Sequence, residues 1–169
     1  RFSEAFLILR AQSIGLPLTF VPVVLVSMSL AYSLSAYPIG ILADRRDRVT
    51  ILIIGLALLV FADLVLAFAT GILGVGLGVV PWGLHMGFTQ GLLATLITKA
   101  APADLRGTGF GMFNLITRLA LLFASVTAGA LWESVGPRGT FLAGAIFASL
   151  AAGGILLICG RPNRPGCLL

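Results

Sequence analysis

Residues 49–69 read VTILIIGLALLVFADLVLAFA, a run of 21 residues that contains one charge, Asp63. A helix rises about 1.5 Å per residue, so this run can cross the ~30 Å hydrocarbon core of a bilayer. The whole chain has the same character, because 59% of its 169 residues are hydrophobic and 10% are charged. Soluble domains have about 45–50% and about 25%. The composition therefore excludes a compact soluble domain and a solvated coil, and it predicts a membrane protein.

Short charged or turn-forming segments divide the rest of the chain into similar apolar runs. We therefore predict an all-α fold, a polytopic membrane helix bundle of about six helices. Gly15, Pro17 and Pro22 end the first segment early, and we interpret that segment as truncated because it is too short to span. The predicted helices are residues 1–16 (partial), 19–43, 49–69, 71–98, 107–132 and 139–160.

Arginine and lysine gather on one side of this predicted topology. The connections near residues 45–48 and 99–106 would lie on the same side as the C-terminal tail, whereas the opposite connections hold Arg138 alone. Because positively charged loops stay in the cytoplasm, we expect a cytoplasmic C-terminus. No basic run is interleaved with aromatics, so the net charge of +5 does not predict nucleic-acid binding. The residues on the positive side are Arg45, Arg46, Arg48, Lys99, Arg106, Arg161 and Arg164.

The boundary between the second and third predicted helices reads GILADRRDR, residues 40–48. This stretch resembles the loop signature of the major facilitator superfamily, roughly G-x-L-x-D-R-x-G-R, with Asp47 in place of the second glycine. Aspartate tolerates a left-handed turn better than most residues, so we expect that turn to persist. Residues 101–107, APADLRG, resemble the loop entering the eleventh helix of that family. Residues 129–141 resemble its connection between helices eleven and twelve, with a loop expected at 133–138.

The resemblance covers nearly the whole chain and implies the C-terminal half of a transporter, helices seven to twelve. It implies ion-coupled secondary active transport of a small solute by alternating access in a bacterial inner membrane. The partners would be that solute, the lipid bilayer and the missing N-terminal half of the same transporter. The alternative is a non-transporting membrane module, either a degenerate half-transporter or an assembly scaffold. In the resembled family the loop acts as a gate, which here comprises Gly40, Asp44, Arg45 and Arg48, with Asp44 paired to Arg48.

Enzymatic function is not predicted. The sequence lacks the Gly-x-Ser-x-Gly, His-Glu-x-x-His and Gly-x-x-x-x-Gly-Lys patterns, and it has no Cys/His spacing typical of a metal site. We therefore expect no catalytic residue, no metal and no cofactor.

Charges inside the apolar runs are the candidate contacts for substrate or protons, because each costs at least ~2.5–3.5 kcal/mol at the bilayer centre. Arg118 shares one helix face with Gly107, Gly111, Asn114, Ser125 and Gly129, and this stripe predicts a cavity or an acid partner such as Asp63 or Glu4. His85 fits a functional role, as a proton relay or a substrate donor, as well as it fits a hydrogen-bonded packing residue. Arg10 fits either binding or snorkelling. For Asp63 we favour a structural ion pair. The candidates are Glu4, Arg10, His85, Gln90, Asn114 and Arg118.

Two sets of small residues predict helix packing. Gly83, Gly87 and Gly91 recur every four residues, with Gln90 alongside, which is typical of a close helix–helix approach. Ser29, Ser33, Ala36 and Gly40 form a second small-residue face, which we also expect to pack.

Overall fold

The computed structural model describes residues 1–45, 47–102 and 104–159 and shows six α-helices in this part of the chain. Five of them are long and apolar enough to cross a membrane, and the described residues contain no strand. The bounds are α1 Ala5–Ser13, α2 Val21–Arg45, α3 Arg48–Phe68, α4 Ile72–Ala100, α5 Arg106–Ser134 and α6 Gly136–Cys159, and a short 3-10 turn, Leu18–Phe20, precedes α2. The predicted all-α membrane bundle is confirmed. Arg46 and residues 160–169, which include Arg161 and Arg164, lie outside the described residues.

The end of α1 is fixed by a glycine in the left-handed region. Gly15 has φ 91°, and its N–H donates to the carbonyl of Gln12 at 2.9 Å. The N–H of Leu16 donates to the carbonyl of Ala11 at 3.0 Å, which completes a Schellman motif. Pro17 follows directly and cannot continue the helix.

Asp47 starts α3 by capping it. Its backbone is extended, with φ −60° and ψ 126°, and its side chain accepts hydrogen bonds from the N–H and the hydroxyl of Thr50, both at 3.2 Å. The expectation of a left-handed turn at this position is therefore wrong. The aspartate side chain accepts a hydrogen bond from an N–H of the first helical turn that would otherwise be unpaired. A glycine has no side chain that could do this.

The connection between α5 and α6 is shorter than expected. The structure continues α5 to Ser134 and begins α6 at Gly136, so the predicted loop at 133–138 is wrong. Gly136 has φ 83°, a conformation that reverses the chain at little steric cost, and Pro137 lies in the first turn of α6, where its missing N–H is not needed.

Helix α4 is the centre of the bundle. It packs against α3 on one side and α2 on another, α6 packs against α3, and α5 contacts α6 and α4 over short stretches only. In the most apolar 18-residue stretch of α4, 50% of the residues are buried. In the corresponding stretch of α5, 6% are buried. One helix, α5, is therefore left largely uncovered in the described bundle.

Glycines allow α2 and α4 to approach closely. A Cβ at Gly83 would overlap the carbonyl of Met28 and lie 2.9 Å from the Cβ of Ala31, and a Cβ at Gly87 would overlap the hydroxyl of Ser35. The predicted packing role of Gly83 and Gly87 is confirmed, whereas a Cβ at Gly91 would meet nothing within 4 Å.

The second predicted packing face behaves differently. The residues of that face are exposed in the structure, and α2 packs through Val24, Met28 and Ser35 instead. Within the described chain no other helix packs on this face, because the buried side of α2 is rotated away from it. The exposed residues are Ser29, Ser33, Ala36 and Gly40.

Gly83→Ala is expected to lower the free energy of unfolding by about 1–3 kcal/mol, because the new methyl group must displace the backbone of α2. Gly91→Ala is the matched control on the same helix, and it should be neutral or stabilise by up to about 1 kcal/mol through helix propensity. Thermal unfolding in detergent measures both. Equal melting temperatures for the two variants would contradict the close approach.

Candidate functional site

Arg118 lies near the middle of α5 on an exposed face. It is twelve residues after Arg106, which corresponds to about 18 Å along a helix of 29 residues. Asn114, one turn earlier, is also exposed. Arg118 forms no ion pair or hydrogen bond with another described residue, so neither Asp63 nor Glu4 is its partner there.

The glycines of the same stripe are not packed against another helix of this chain. A Cβ added at Gly107, Gly111 or Gly129 would meet nothing within 4 Å. The stripe contacts the rest of the bundle at Ser125, whose hydroxyl accepts a hydrogen bond from the N–H of Ser3 at 3.2 Å. The stripe is therefore an open polar surface, and its C-terminal part, at Ser125, lies against the residues that precede α1.

The start of α1 brings further charges to this region. The Arg1 guanidinium and the Glu4 carboxylate are 4.0 Å apart, with 25% and 43% of their side chains exposed. Arg1 also lies over the ring of Trp82 at 5.1 Å from its centroid, and it is close enough to Arg118 for the two positive charges to repel. Arg1, Glu4 and Arg118 thus form a charged cluster at the open side of an otherwise apolar bundle. Sequence reasoning placed Glu4 and Arg118 here but not Arg1.

His85 lies apart from this cluster, buried between α3 and α4. Its Nδ1 is 2.8 Å from the carbonyl oxygen of Gly55, and since a carbonyl only accepts, Nδ1 carries the proton. Gly55 allows α3 and α4 to approach closely. A Cβ at this position would lie 3.0 Å from side-chain carbons of Phe88 and Thr89. Of the two interpretations left open, this geometry favours the hydrogen-bonded packing residue. Gln90, next to that contact, is half-buried.

Arg10 is buried and caps the end of α3. Its Nε donates to the carbonyl of Leu66 at 2.8 Å, and its Nη2 donates to those of Ala67 at 3.3 Å and Ala69 at 2.7 Å. The last carbonyls of a helix have no partner within the helix, and the helix dipole favours a positive charge there. This arrangement favours a structural role over substrate binding.

The candidate gating loop is described only in part. Gly40 is exposed, with open space around it, and Arg48 begins α3. The side chains of Asp44 and Arg45 lie outside the described residues, so the Asp44–Arg48 pair stays a prediction.

Asp63 does not form the ion pair that the sequence suggested. Its side chain is buried, with 1% of its surface exposed, and no described cation lies within ion-pair distance. Its Oδ1 and the nearby indole Nε1 of Trp82 are both buried without a hydrogen-bond partner. Among the described residues there is also no group of three metal-binding side chains.

An aromatic cluster was missed by sequence reasoning. Phe2 contacts Phe6 and Phe141 edge-on, with ring centroids 5.2 and 5.4 Å apart, and Trp132 lies 5.8 Å from Phe6. The cluster joins the start of α1 to both helices at the α5–α6 turn. The four-residue spacing of Phe2 and Phe6, and the position of Trp132 and Phe141 on either side of Gly136, were the available signals.

Arg10→Met is expected to lower the free energy of unfolding by about 1.5–3 kcal/mol, because three carbonyls lose a charged donor while the aliphatic volume is kept. Arg10→Lys should recover part of the loss, since one ammonium cannot reproduce the fork. Arg106→Met, at the exposed start of α5, is the control and should melt like the wild type. A wild-type melting temperature for Arg10→Met would contradict the capping role.

Comparisons with known proteins agree with this architecture. The family model of the Major Facilitator Superfamily matches residues 4–166. An uncharacterized MFS-type transporter of Methanocaldococcus jannaschii is 29% identical over 163 residues, which is 93% of this chain and 40% of that relative. The chain therefore spans about two fifths of the length of the curated relative that it matches. No solved structure matches it. With its membrane-spanning helices and a family match over most of its length, this chain is part of a multi-pass membrane protein and belongs to the major facilitator superfamily.

Proposed function

We propose that this chain is the C-terminal half of a secondary active transporter, which moves a small solute across the membrane by alternating access. The observation that carries the proposal is the open stripe on α5, where Asn114 and Arg118 are exposed halfway along a membrane-spanning helix. A charge at that depth is unfavourable against lipid, and such residues face a water-filled cavity or a partner. The family to which the chain belongs and its transporter relative support this role.

The second half of the transporter would cover the faces that this chain leaves open. The small-residue face of α2 and the stripe of α5 are both exposed, although small residues at helical spacing are typical of helix contacts in membranes. A matching half across these faces would enclose Arg118 in a midplane cavity, where the sites of such transporters lie. The relative is long enough to contain such a half, since this chain accounts for 40% of it.

The charges around the cavity favour an anionic group on the solute. Arg1 and Arg118 carry two positive charges, and Glu4, which is paired with Arg1, carries one negative charge. The planar guanidinium of Arg118 has no described partner, so its donors are available for a carboxylate or a phosphate. Ion coupling completes the proposal, and the C-terminus would lie in the cytoplasm of a bacterial-type cell.

Alternating access predicts that Asn114 can be reached from both sides of the membrane. The intact protein with Asn114→Cys, and with Cys159 and Cys167 changed to alanine, should react with a membrane-impermeant maleimide in right-side-out and in inside-out vesicles. Ala62→Cys is the control, because Ala62 is fully buried and should not react from either side. Reaction of Asn114→Cys from one side alone would contradict alternating access and would favour a non-transporting membrane module.

Substitution of Arg118 tests the solute contact. With a solute found by screening proteoliposomes against radiolabelled small organic anions, Arg118→Lys should reduce uptake about tenfold or more. Lysine keeps the positive charge but loses the planar set of N–H donors of the guanidinium. Each hydrogen bond to a charged group contributes about 1.5–3 kcal/mol, so the loss of one is enough for this reduction. Arg106→Lys is the matched control and should transport normally. Full uptake by Arg118→Ala would show that the stripe does not hold the solute.

A further inference from the structure

Asp63 is enclosed on the side of α3 that faces α6. One carboxylate oxygen, Oδ2, would lie 2.6 Å from a Cβ at Gly144, and the ring edge of Phe2 would lie 2.8 Å from the same point. Both side chains therefore pack against Gly144, a position on α6 that has no side chain. Phe2 is itself buried and is held by its edge contacts with Phe6 and Phe141. Gly144 and Phe2 thus close off the carboxyl group.

The enclosed carboxyl group has hydrogen-bonding capacity that the surrounding residues do not fully satisfy. Oδ1 is buried without a hydrogen-bond partner of standard geometry. The indole N–H of Trp82 lies close enough to interact with the carboxyl group, but outside hydrogen-bond geometry. An ionised carboxylate removed from water without a cation costs several kcal/mol, and such a group takes up a proton instead. The geometry therefore fits a neutral carboxylic acid.

The charged groups on the neighbouring elements do not neutralise Asp63. Arg1 is paired with Glu4 and lies over Trp82, His85 on α4 donates to Gly55, and Arg118 on α5 is exposed. The α-amino group of Arg1 also acts on Asp63 electrostatically, but it forms no ion pair with the carboxyl group. On α6 the one charged residue in the described part is Arg138, which is exposed near the helix start, and on α3 itself Arg48 lies at the opposite end.

A cavity lies next to the enclosed acid. The cavity has a volume of about 300 Å³, lies between α3, α5 and α6, and is lined by both Phe2 and Gly144. The two residues that enclose Asp63 are therefore also part of the cavity wall. A shift of residues 1–4 away from α6 would open the cavity to the carboxyl group.

We propose that Asp63 is a proton-binding site, which holds its proton while Phe2 packs on Gly144 and releases it to water when the start of α1 moves. On release, the O–H bond of the acid breaks, water accepts the proton, and a carboxylate remains. This site is separate from the stripe on α5. The inference rests on the proposed function in one respect, since it makes the proton the coupling ion of transport.

Infrared spectroscopy of the purified protein in lipid tests the site without any transported solute. At neutral pH the wild-type spectrum should contain a carboxylic acid C=O band that is lost in Asp63→Asn and kept in Asp104→Asn, where the acid is in an exposed loop. Asp63→Glu, which keeps the acid, should shift the band rather than remove it. This variant also assigns the band if Asp63→Asn does not reach the membrane.

Deuterium exchange tests the enclosure. In D₂O the band should shift slowly in the wild type and within the mixing time in Phe2→Ala. Phe147→Ala is the matched control, because Phe147 lines the same cavity but is largely exposed, and its exchange should stay slow. The absence of a band from Asp63 overturns the proton site, and equal exchange in Phe2→Ala and the wild type overturns the role of Phe2. A band in a protein that transports nothing would leave the proton site standing while the proposed function fails.

Discussion

Three carbonyl groups at the end of α3, those of Leu66, Ala67 and Ala69, converge on the guanidinium of Arg10. In lipid there is no water to satisfy such groups, so a partner inside the protein is required. This interaction also joins α1 to the core, because α1 is short and has few backbone contacts of its own with the longer helices. With the far end of α1 held in this way, its start lies over Trp82 and beside α5. The charged cluster and the enclosure of Asp63 both depend on that placement.

The centre of the bundle follows a different rule, in which missing side chains allow backbones to approach. Gly83 and Gly87 admit α2 to one side of α4, and Gly55 admits α4 to α3. Dispersion contacts are then made along α4, which is why it is the most buried of the long helices. Because α4 is already covered by α2 and α3, little of its surface remains for α5, and the polar stripe of that helix stays open.

The fold was predictable from the sequence because the apolar runs, and the charged segments between them, decide where membrane helices begin and end. Gly83 and Gly87 were also assigned correctly, since their four-residue period depends on one helix alone. The roles of Arg10, His85 and Asp63 were not predictable in the same way. Each depends on a group more than twenty residues away, such as the carbonyl of Gly55 for His85. Depth along a helix shows that a charge is unusual, but it does not show which neighbour the charge meets.

The reversal at Val135 and Gly136 has a mechanical consequence. One residue, Val135, connects α5 to α6, and α6 is held firmly along α3, whereas α5 has few contacts of its own. If α5 tilts, it therefore pivots about this short connection. Little apolar surface between α5 and the other helices is then separated. The lever arm runs from this connection to Arg118, sixteen residues or about 24 Å away. A small rotation at the connection is thus amplified into a displacement of several ångströms at the middle of the membrane, while the core between α2, α3 and α4 stays as it is.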